Sequence, residues 1–546
     1  MSADPLVQAE QAFRQGDLDR ADGLAAHSPR PDALQFRAML AIQSQRLDQA
    51  REHMSAFLSQ RPDDPNGWFN MGLVCKQLGD LSEAEKAYGE ALRLAPDHPA
   101  ANAGMIELII ANVNRLLGSN NPSAALKLLE SCHNLTSAAL WDARAAVLNS
   151  LGDNIPALAA ARKALELAPD NLRITANLAA LLSSQTNPEA LAEAIQLATQ
   201  VLSQRPDHGG ANHCLAVVLQ KQGELETALV HANRAVQVQP SLDHCMTAGD
   251  IQSLLNPQRG ARMLGDAAEQ MWASQKASPD CATPEMIRAR ALLLRQRGVA
   301  LLRANQPGEA LAVLDESLDL DPADQRTIAH RGVAMAITSN PQEANRWLGI
   351  SHWIHREILA CPAEFESLGH FNAALANDIS EHSLMRWEPL GLAARNGGLT
   401  DNLLADNTLA IGGFERSLRA AINKMIASGP QSAPFDAAFP GTDYQLNIWA
   451  TLVHADGNID THIHEESWLS GAYYVQLPAG QGDEGGIEFG RPHADLPQAN
   501  QTECEVMRPS EGELLLFPSY LFHRTLAHQG VEPRISISFD VSKPPG

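Results

Sequence analysis

The chain has 546 residues, 5% of them aromatic, and a formal net charge of −23. Such a length exceeds what one hydrophobic core serves, so at least two folding units are expected, and abundant alanine and leucine point to packed helices rather than a wholly β architecture. The acidic balance argues against nucleic acid as a partner, because phosphate backbones are held by basic side chains that release counterions.

The opening residues, MSADPLVQAEQAFRQGDLD, have neither the basic start nor the apolar stretch of a signal peptide, and no run is long and apolar enough to cross a bilayer. A cytoplasmic protein with no membrane partner is therefore expected. The seven cysteines (Cys75, Cys132, Cys214, Cys245, Cys281, Cys361 and Cys504) are scattered and free of CxxC spacing, which predicts reduced thiols rather than a disulfide framework or a cysteine zinc site.

Internal repetition dominates the first 350 residues. The clearest unit is WFNMGLVCKQLGDLSEAEKAYGEALRLAP, with Trp68, Gly72, Gly79, Ala84, Tyr88, Ala91 and Pro96 at fixed spacing. Gly72 and Ala84 are small where two helices cross, Gly79 permits the turn between them, and Pro96 stops the second helix. The signature returns at Ala145, Gly152, Ala157, Ala164 and Pro169, and again at Ala216, Gly223, Ala228, Ala235 and Pro240. Weaker copies end at Pro62, Pro206 and Pro322, another opens at Gly332 and Ala344, and a degenerate first copy carries Gly16 and Ala21. The intervals Pro62 to Pro96 and Pro206 to Pro240 are 34 residues but Pro169 to Pro206 is 37, which predicts an insertion around Thr186 to Glu189. The stretches near 105–135 and 243–290 fit poorly and predict irregular pairs. This pattern resembles the tetratricopeptide repeat family. The resemblance implies an α-solenoid over residues 1–350 whose groove takes a protein or peptide partner, with a rigid spacer or dimerisation surface as the alternative.

Residues 351–434 read as a helical connector and the N-terminal part of the domain that follows: a helix at HFNAALANDISEH, a Gly-rich turn at NGGLTDNLL, and a helix from Phe414 to Ser428. From 435 to 546 the period changes. YQLNIWATLV, SGAYYVQL, ELLLFP and RISISFDV are short, rich in β-branched or aromatic residues and bounded by turn formers, and predict strands of a β-sandwich or barrel.

The chemistry concentrates there. A turn at Asp456-Gly457-Asn458 is expected to lead into a strand that puts His462 and His464 on one face, since residues two apart on a strand point the same way. A divalent iron centre needs a few imidazoles converging from one side with positions left open. His523, on a separate short strand, is the candidate third imidazole. Arg534 opens the last strand, where its planar fork suits the far carboxylate of a dicarboxylic acid. His454 and Asp456 spell a rival His-x-acid motif, set aside because Asp456 lies in an Asp-Gly turn signal. His493 and His528 are expected at the surface, and His98 and His213 in structural roles.

Paired histidines, a distal histidine and a following arginine resemble the iron and 2-oxoglutarate oxygenase superfamily. THIHEESWLSGAYYVQLP with GELLLFPSYLFHR and RISISF is similar to an oxygenase family often joined to tetratricopeptide repeats. The resemblance implies a double-stranded β-helix (jelly-roll) domain, with His462, His464 and His523 as Fe(II) ligands and Arg534 as the anchor for 2-oxoglutarate. It also implies hydroxylation coupled to decarboxylation of that cosubstrate. Tyr474 and Ser536 are further candidates for binding the cosubstrate. The superfamily usually has an acid where His464 stands, so Asp460, Glu465 and Glu466 are carried as alternative ligands. A three-histidine cupin-type dioxygenase and a repeat scaffold with a degenerate β-domain are the competing readings. The usual glutamate and PxGxxH motif of cupins are missing.

Overall fold

The computed structural model describes residues 4–119, 121–132, 136–276, 283–382, 385–387, 393–406, 408–428, 432–497 and 500–544. Cys281 lies outside them, and the six described cysteines are free thiols. Two compact units are formed, by Met1–Leu178 and by Ala179–Pro545, with the division inside the helix Leu172–Ser183. None of the described helices is long and apolar enough to cross a membrane.

The first unit is a run of antiparallel helix pairs, from Pro5–Arg14 with Leu18–Ala25 to Ala138–Ser150 with Asn154–Leu167. Its local logic is clearest at Pro65–Leu78 and Leu81–Leu94. Asp64 and Asp80 cap the two helices through Gly67 N and Glu83 N, and Gly79 ends the first at φ +81°, a left-handed conformation that glycine adopts without strain. At the crossing, a Cβ on Gly72 would lie 2.5 Å from the Tyr88 ring, which is itself fully buried. The repeat glycine is therefore fixed by packing as well as by the turn. The poorly matching stretch contains the 20-residue helix Pro99–Gly118, longer than the 14 residues of its neighbours.

In the second unit the pairs continue from Gly209–Lys221 with Leu225–Val238 to Gln325–Thr338 with Pro341–Leu348. The extra residues foreseen near Thr186 lengthen the loop after Ser183 and the helix Pro188–Gln204, which has 17 residues. Irregularity in 243–290 takes the form of a 20-residue helix, Pro257–Lys276.

Beyond residue 350 ten strands form one sheet: β1 (His355–Ile358), β2 (Arg386–Trp387), β3 (Ala394–Leu399), β4 (Gln445–His462), β5 (Leu469–Gln476), β6 (Ile487–Phe489), β7 (Glu505–Met507), β8 (Glu513–Pro518), β9 (His523–Thr525) and β10 (Arg534–Ser542). Among the described residues the order is β1-β8-β5-β10-β4-β9-β6-β7, with β3 attached along β4, β2 paired to β3, and every pairing antiparallel. Strand β4 pairs with β10 up to Val453 and with β9 from Ile459, so the sheet curls on itself as a jelly-roll. Helices Leu368–Ser380 and Leu409–Ala427 cover its outer face, where Phe371 and Phe414 meet Tyr473, whose hydroxyl donates to Asn372 Oδ1 at 2.6 Å.

Two expectations are corrected. Asp456-Gly457-Asn458 is not a hairpin turn. Strand β4 runs through it with a bulge in which Asp456 takes φ +62° and its N–H bonds His528 O at 2.8 Å. Nor is NGGL a turn, because it forms most of β3; a Cβ on Gly397 would lie 2.9 Å from Leu452 O, so only glycine lets β3 lie this close to β4.

The hydrophobic core of this unit is continuous from Ala261 to Val541. Repeat helices pack directly on the segments that flank the histidines. Tyr520 donates to Leu348 O at 3.0 Å, His330 meets Phe522 edge-on at 5.3 Å, and Arg326 and Arg295 reach Glu465 at 3.2 and 3.5 Å.

Candidate metal centre

His462 ends β4 opposite His523 of β9, and the chain leaving β4 carries His464 to the same place. Ring centroids are 4.2 Å apart for His462 and His523, 5.1 Å for His462 and His464, and 5.2 Å for His464 and His523. One nitrogen of each ring lies within 4.8 Å of the others, and no other group of three or more His, Cys, Asp or Glu is so placed among the described residues.

The hydrogen bonds decide which nitrogen faces inward. His462 Nδ1 meets Asp460 O at 2.8 Å, His523 Nδ1 meets Leu521 O at 2.9 Å, and His464 Nδ1 meets Asp540 Oδ2 at 2.8 Å. Carbonyl and carboxylate oxygens only accept, so Nδ1 carries the proton in each ring and Nε2 keeps its lone pair. His464 Nε2 is buried and has no partner. Burial, reinforced by His464, pushes His462 down to about 4, and burial holds His523 well below the ordinary imidazole value. Three imidazoles directing Nε2 to one point are a donor set for a divalent cation, and His464 Nε2, unpartnered among the described residues, is the atom such an ion would satisfy.

Arg534 faces the same cavity, a space of about 150 Å³ also lined by Trp449, Thr451, Phe517 and Ser536. Along β10, Arg534, Ser536, Ser538 and Asp540 alternate with the buried Ile535, Ile537, Phe539 and Val541. Arg534 is 2% exposed; its Nη1 donates to Ser536 Oγ at 3.0 Å and its Nε to Gly485 O at 3.2 Å. Among the described residues no carboxylate pairs with it, and burial lowers its pKa. Its guanidinium lies 5.1 Å from the centre of the Tyr474 ring, and the fully buried Tyr474 hydroxyl has no partner of good hydrogen-bond geometry among the described residues. A buried cation without a counter-ion is costly, so the cavity is electrostatically prepared for an anion.

The alternative acids do not join the triad. Asp460 turns its carboxylate to Arg395 at 2.9 Å, Glu465 to Arg326 and Arg295, and Glu466 is exposed. His454 stacks on Trp387 at 5.2 Å, well apart from the cluster. His528, expected at the surface, is instead 1% exposed with Nε2 3.3 Å from Val453 O, because its loop folds over the β4 bulge. His493 is partly buried, edge-on to Phe522 at 5.3 Å. His98 caps the helix Pro99–Gly118, and His213 bonds Thr247 Oγ1 at 2.9 Å. A larger cavity of about 760 Å³, lined by Arg303, Arg326, Arg491 and Arg524, contains none of the three clustered histidines. Its guanidiniums are already matched, by Asp250 and Asp495, by Glu465, and by Glu488. The smaller cavity is the one that His462, His464, His523 and Arg534 line together.

One residue escaped the sequence reading: Asp540, which bonds His464 from 76 positions away. The available signal was its strand parity with Arg534 and Ser536.

Comparison with known proteins agrees with this architecture. Residues 447–540 match the family model described as "Putative 2OG-Fe(II) oxygenase", a span that includes all three histidines and Arg534, and residues 65–98 match the tetratricopeptide repeat model. No curated protein matches the chain in sequence. Among solved structures, YrrB, described as "a TPR protein with an unusual peptide-binding site", is 21% identical with a TM-score of 0.28 and covers 36% of this chain and 97% of its own. MamA from Desulfovibrio magneticus RS-1 is 16% identical with a TM-score of 0.26, covering 33% and 97%. A repeat protein from Cytophaga hutchinsonii is 13% identical with a TM-score of 0.33, covering 43% and 96%. The chain thus carries a tetratricopeptide repeat region followed by a jelly-roll domain that matches the putative 2OG-Fe(II) oxygenase model over residues 447–540.

Proposed function

We propose that this protein is a 2-oxoglutarate- and Fe(II)-dependent dioxygenase that hydroxylates a protein or peptide recruited by its repeats. The functional division we assign is a repeat array over 1–350, a helical connector with the N-terminal part of the oxygenase region over 351–434, and the double-stranded β-helix oxygenase domain over 435–546. Its place of action on this reading is the cytoplasm, in keeping with the six free thiols. The observation that carries the reading is a buried guanidinium with no carboxylate partner among the described residues, sharing one small cavity with three converging imidazoles.

His462, His464 and His523 would hold the metal through Nε2. Iron(II) with 2-oxoglutarate, when bound, would supply the chemistry by which dioxygen is the oxidant: one of its oxygen atoms would enter the hydroxylated substrate carbon and the other the succinate formed as 2-oxoglutarate loses carbon dioxide. The protein's own residues orient and enclose. Arg534 grips the far carboxylate of the cosubstrate with two parallel N–H donors, a geometry lysine cannot offer. Ser536 holds that guanidinium in place, and the Tyr474 hydroxyl is free to donate to the same carboxylate. Trp449, Ile459 and Phe517 line the cavity with apolar surface and limit water. The cupin alternative has no use for Arg534, which favours the dicarboxylic acid.

The test is release of succinate from 2-oxoglutarate by the iron-loaded full chain. Release that is abolished by chelation and by His523→Ala supports the assignment. If release never exceeds that of heat-inactivated protein, the β-domain is a scaffold.

A further inference from the structure

The three imidazoles are not held alike. His462 and His523 bond main-chain carbonyls only two residues away in sequence, Asp460 O and Leu521 O, so their ring orientation comes with the backbone. His464 lies beyond the last residue of β4 and bonds a side chain instead: Nδ1 is 2.8 Å from each oxygen of Asp540, on β10. The carboxylate is itself held. Ser470 Oγ donates to Asp540 Oδ1 at 2.6 Å and lies 2.7 Å from Ser519 Oγ, while the Ser519 carbonyl accepts from His464 N at 3.0 Å. Asp540 and His464 are only 17% and 12% exposed, and Trp449 stacks on the other side of the His464 ring at 5.6 Å.

We propose that Asp540 is a positioning residue of this centre: it orients His464 with Nε2 toward His462 and His523, and supplies from behind the ring the negative charge that position 464 does not bring to the metal itself. The inference rests on the metal-centre reading above. Its physical basis is general. A carboxylate accepting the far N–H of a ligating imidazole fixes the tautomer, restricts the ring and makes the nitrogen facing the metal more basic. In this chain it also offsets an all-neutral set of three ligands. Among the described residues the Asp540 carboxylate has one further side-chain bond, from the Ser470 hydroxyl.

The experiment is a Co(II) titration of the full-length protein, read both as a dissociation constant against a chromophoric chelator and as the visible d–d spectrum. Metal-free melting in EDTA runs alongside. Asp540→Ala is expected to weaken Co(II) binding by about 10- to 100-fold and to alter the spectrum, the range found when such outer partners are removed. Asp540→Asn keeps an acceptor for Nδ1 but not the charge, and is expected to fall between the wild type and Asp540→Ala. Asp540→Ala that stays folded and binds Co(II) within about twofold of the wild type, with an unchanged spectrum, overturns the proposal. If Asp540→Ala does not fold, Ser470→Ala decides: a several-fold weaker constant supports the role of the held carboxylate, and an unchanged constant and spectrum refute it. A folded wild type that binds no Co(II) marks failure of the metal-centre reading itself.

Discussion

Replacing Arg534 should move affinity and stability in opposite directions. Its guanidinium is 2% exposed and, among the described residues, meets only neutral groups: it donates to Ser536 Oγ and Gly485 O and faces the Tyr474 ring. Exchanging a poorly compensated buried charge for a hydrophobic side chain of similar length is neutral or stabilising, by about 1–4 kcal/mol. With the cosubstrate bound, the same exchange strands a buried carboxylate, and removing one partner of a buried pair costs about 3–5 kcal/mol. At about 1.4 kcal/mol per factor of ten, this is roughly two to three and a half orders of magnitude in Kd for 2-oxoglutarate. Arg534→Met should therefore bind 2-oxoglutarate at least about a hundredfold more weakly, yet melt no lower than the wild type when free of metal and ligand. Arg534→Lys keeps the charge without the fork and should fall between. Calorimetric titration of the Mn(II)-loaded protein gives the affinities, and thermal denaturation in EDTA the stabilities. An Arg534→Met variant that binds within threefold of the wild type, or that melts several degrees lower, would refute the reasoning.

Three further outcomes are expected. Asp460→Asn and Glu465→Gln should each leave metal affinity within about twofold of the wild type, whereas His464→Ala should abolish tight binding; both carboxylates are partly exposed and engaged by arginines, where an ion pair contributes about 0–1 kcal/mol. Burial, with Arg326 adding to it, holds His330 well below 6.5. Below that pH the unfolded chain takes up a proton that the folded chain refuses, so stability falls as pH drops, by at most about 1.4 kcal/mol per unit. Urea midpoints at pH 7.5 and 5.5 should separate for the wild type and draw together in His330→Asn. Gly72→Ala would drive a Cβ to 2.5 Å from the Tyr88 ring and should destabilise the first unit by about 1–3 kcal/mol, with partial recovery in the double variant carrying Tyr88→Leu. Denaturant unfolding of single and double variants measures the coupling, and additive losses would contradict this steric origin.

The repeats were legible because their determinants are local. Pro62, Pro96, Pro169, Pro206, Pro240 and Pro322 each fall two residues past a helix end, where spacing along the chain is enough to find them. The alternation in RISISFDV likewise marked β10 and the face that carries Arg534. Misreadings arose where one residue type serves two geometries. Asp456-Gly457 is the vocabulary of a hairpin turn, but positive φ also suits a bulge, and here the strand continues. The glycines of NGGL read as a turn, whereas at β3 they permit close strand approach. Hidden altogether were pairings between distant positions: Asp540 with His464, and His528 with Val453. Strand parity puts Asp540 on the face of Arg534, but no window of neighbouring residues names the distant partner in either pair.

The most direct measurement is an anaerobic titration of the full-length protein with Fe(II) and then 2-oxoglutarate, followed by visible absorption. A charge-transfer band saturating near one equivalent of each is predicted, with His523→Ala retaining no iron and Arg534→Met retaining iron but giving no band at the same ligand concentration. A wild type that holds no iron, or a band that survives both substitutions, would contradict the assignment of these four side chains to one centre.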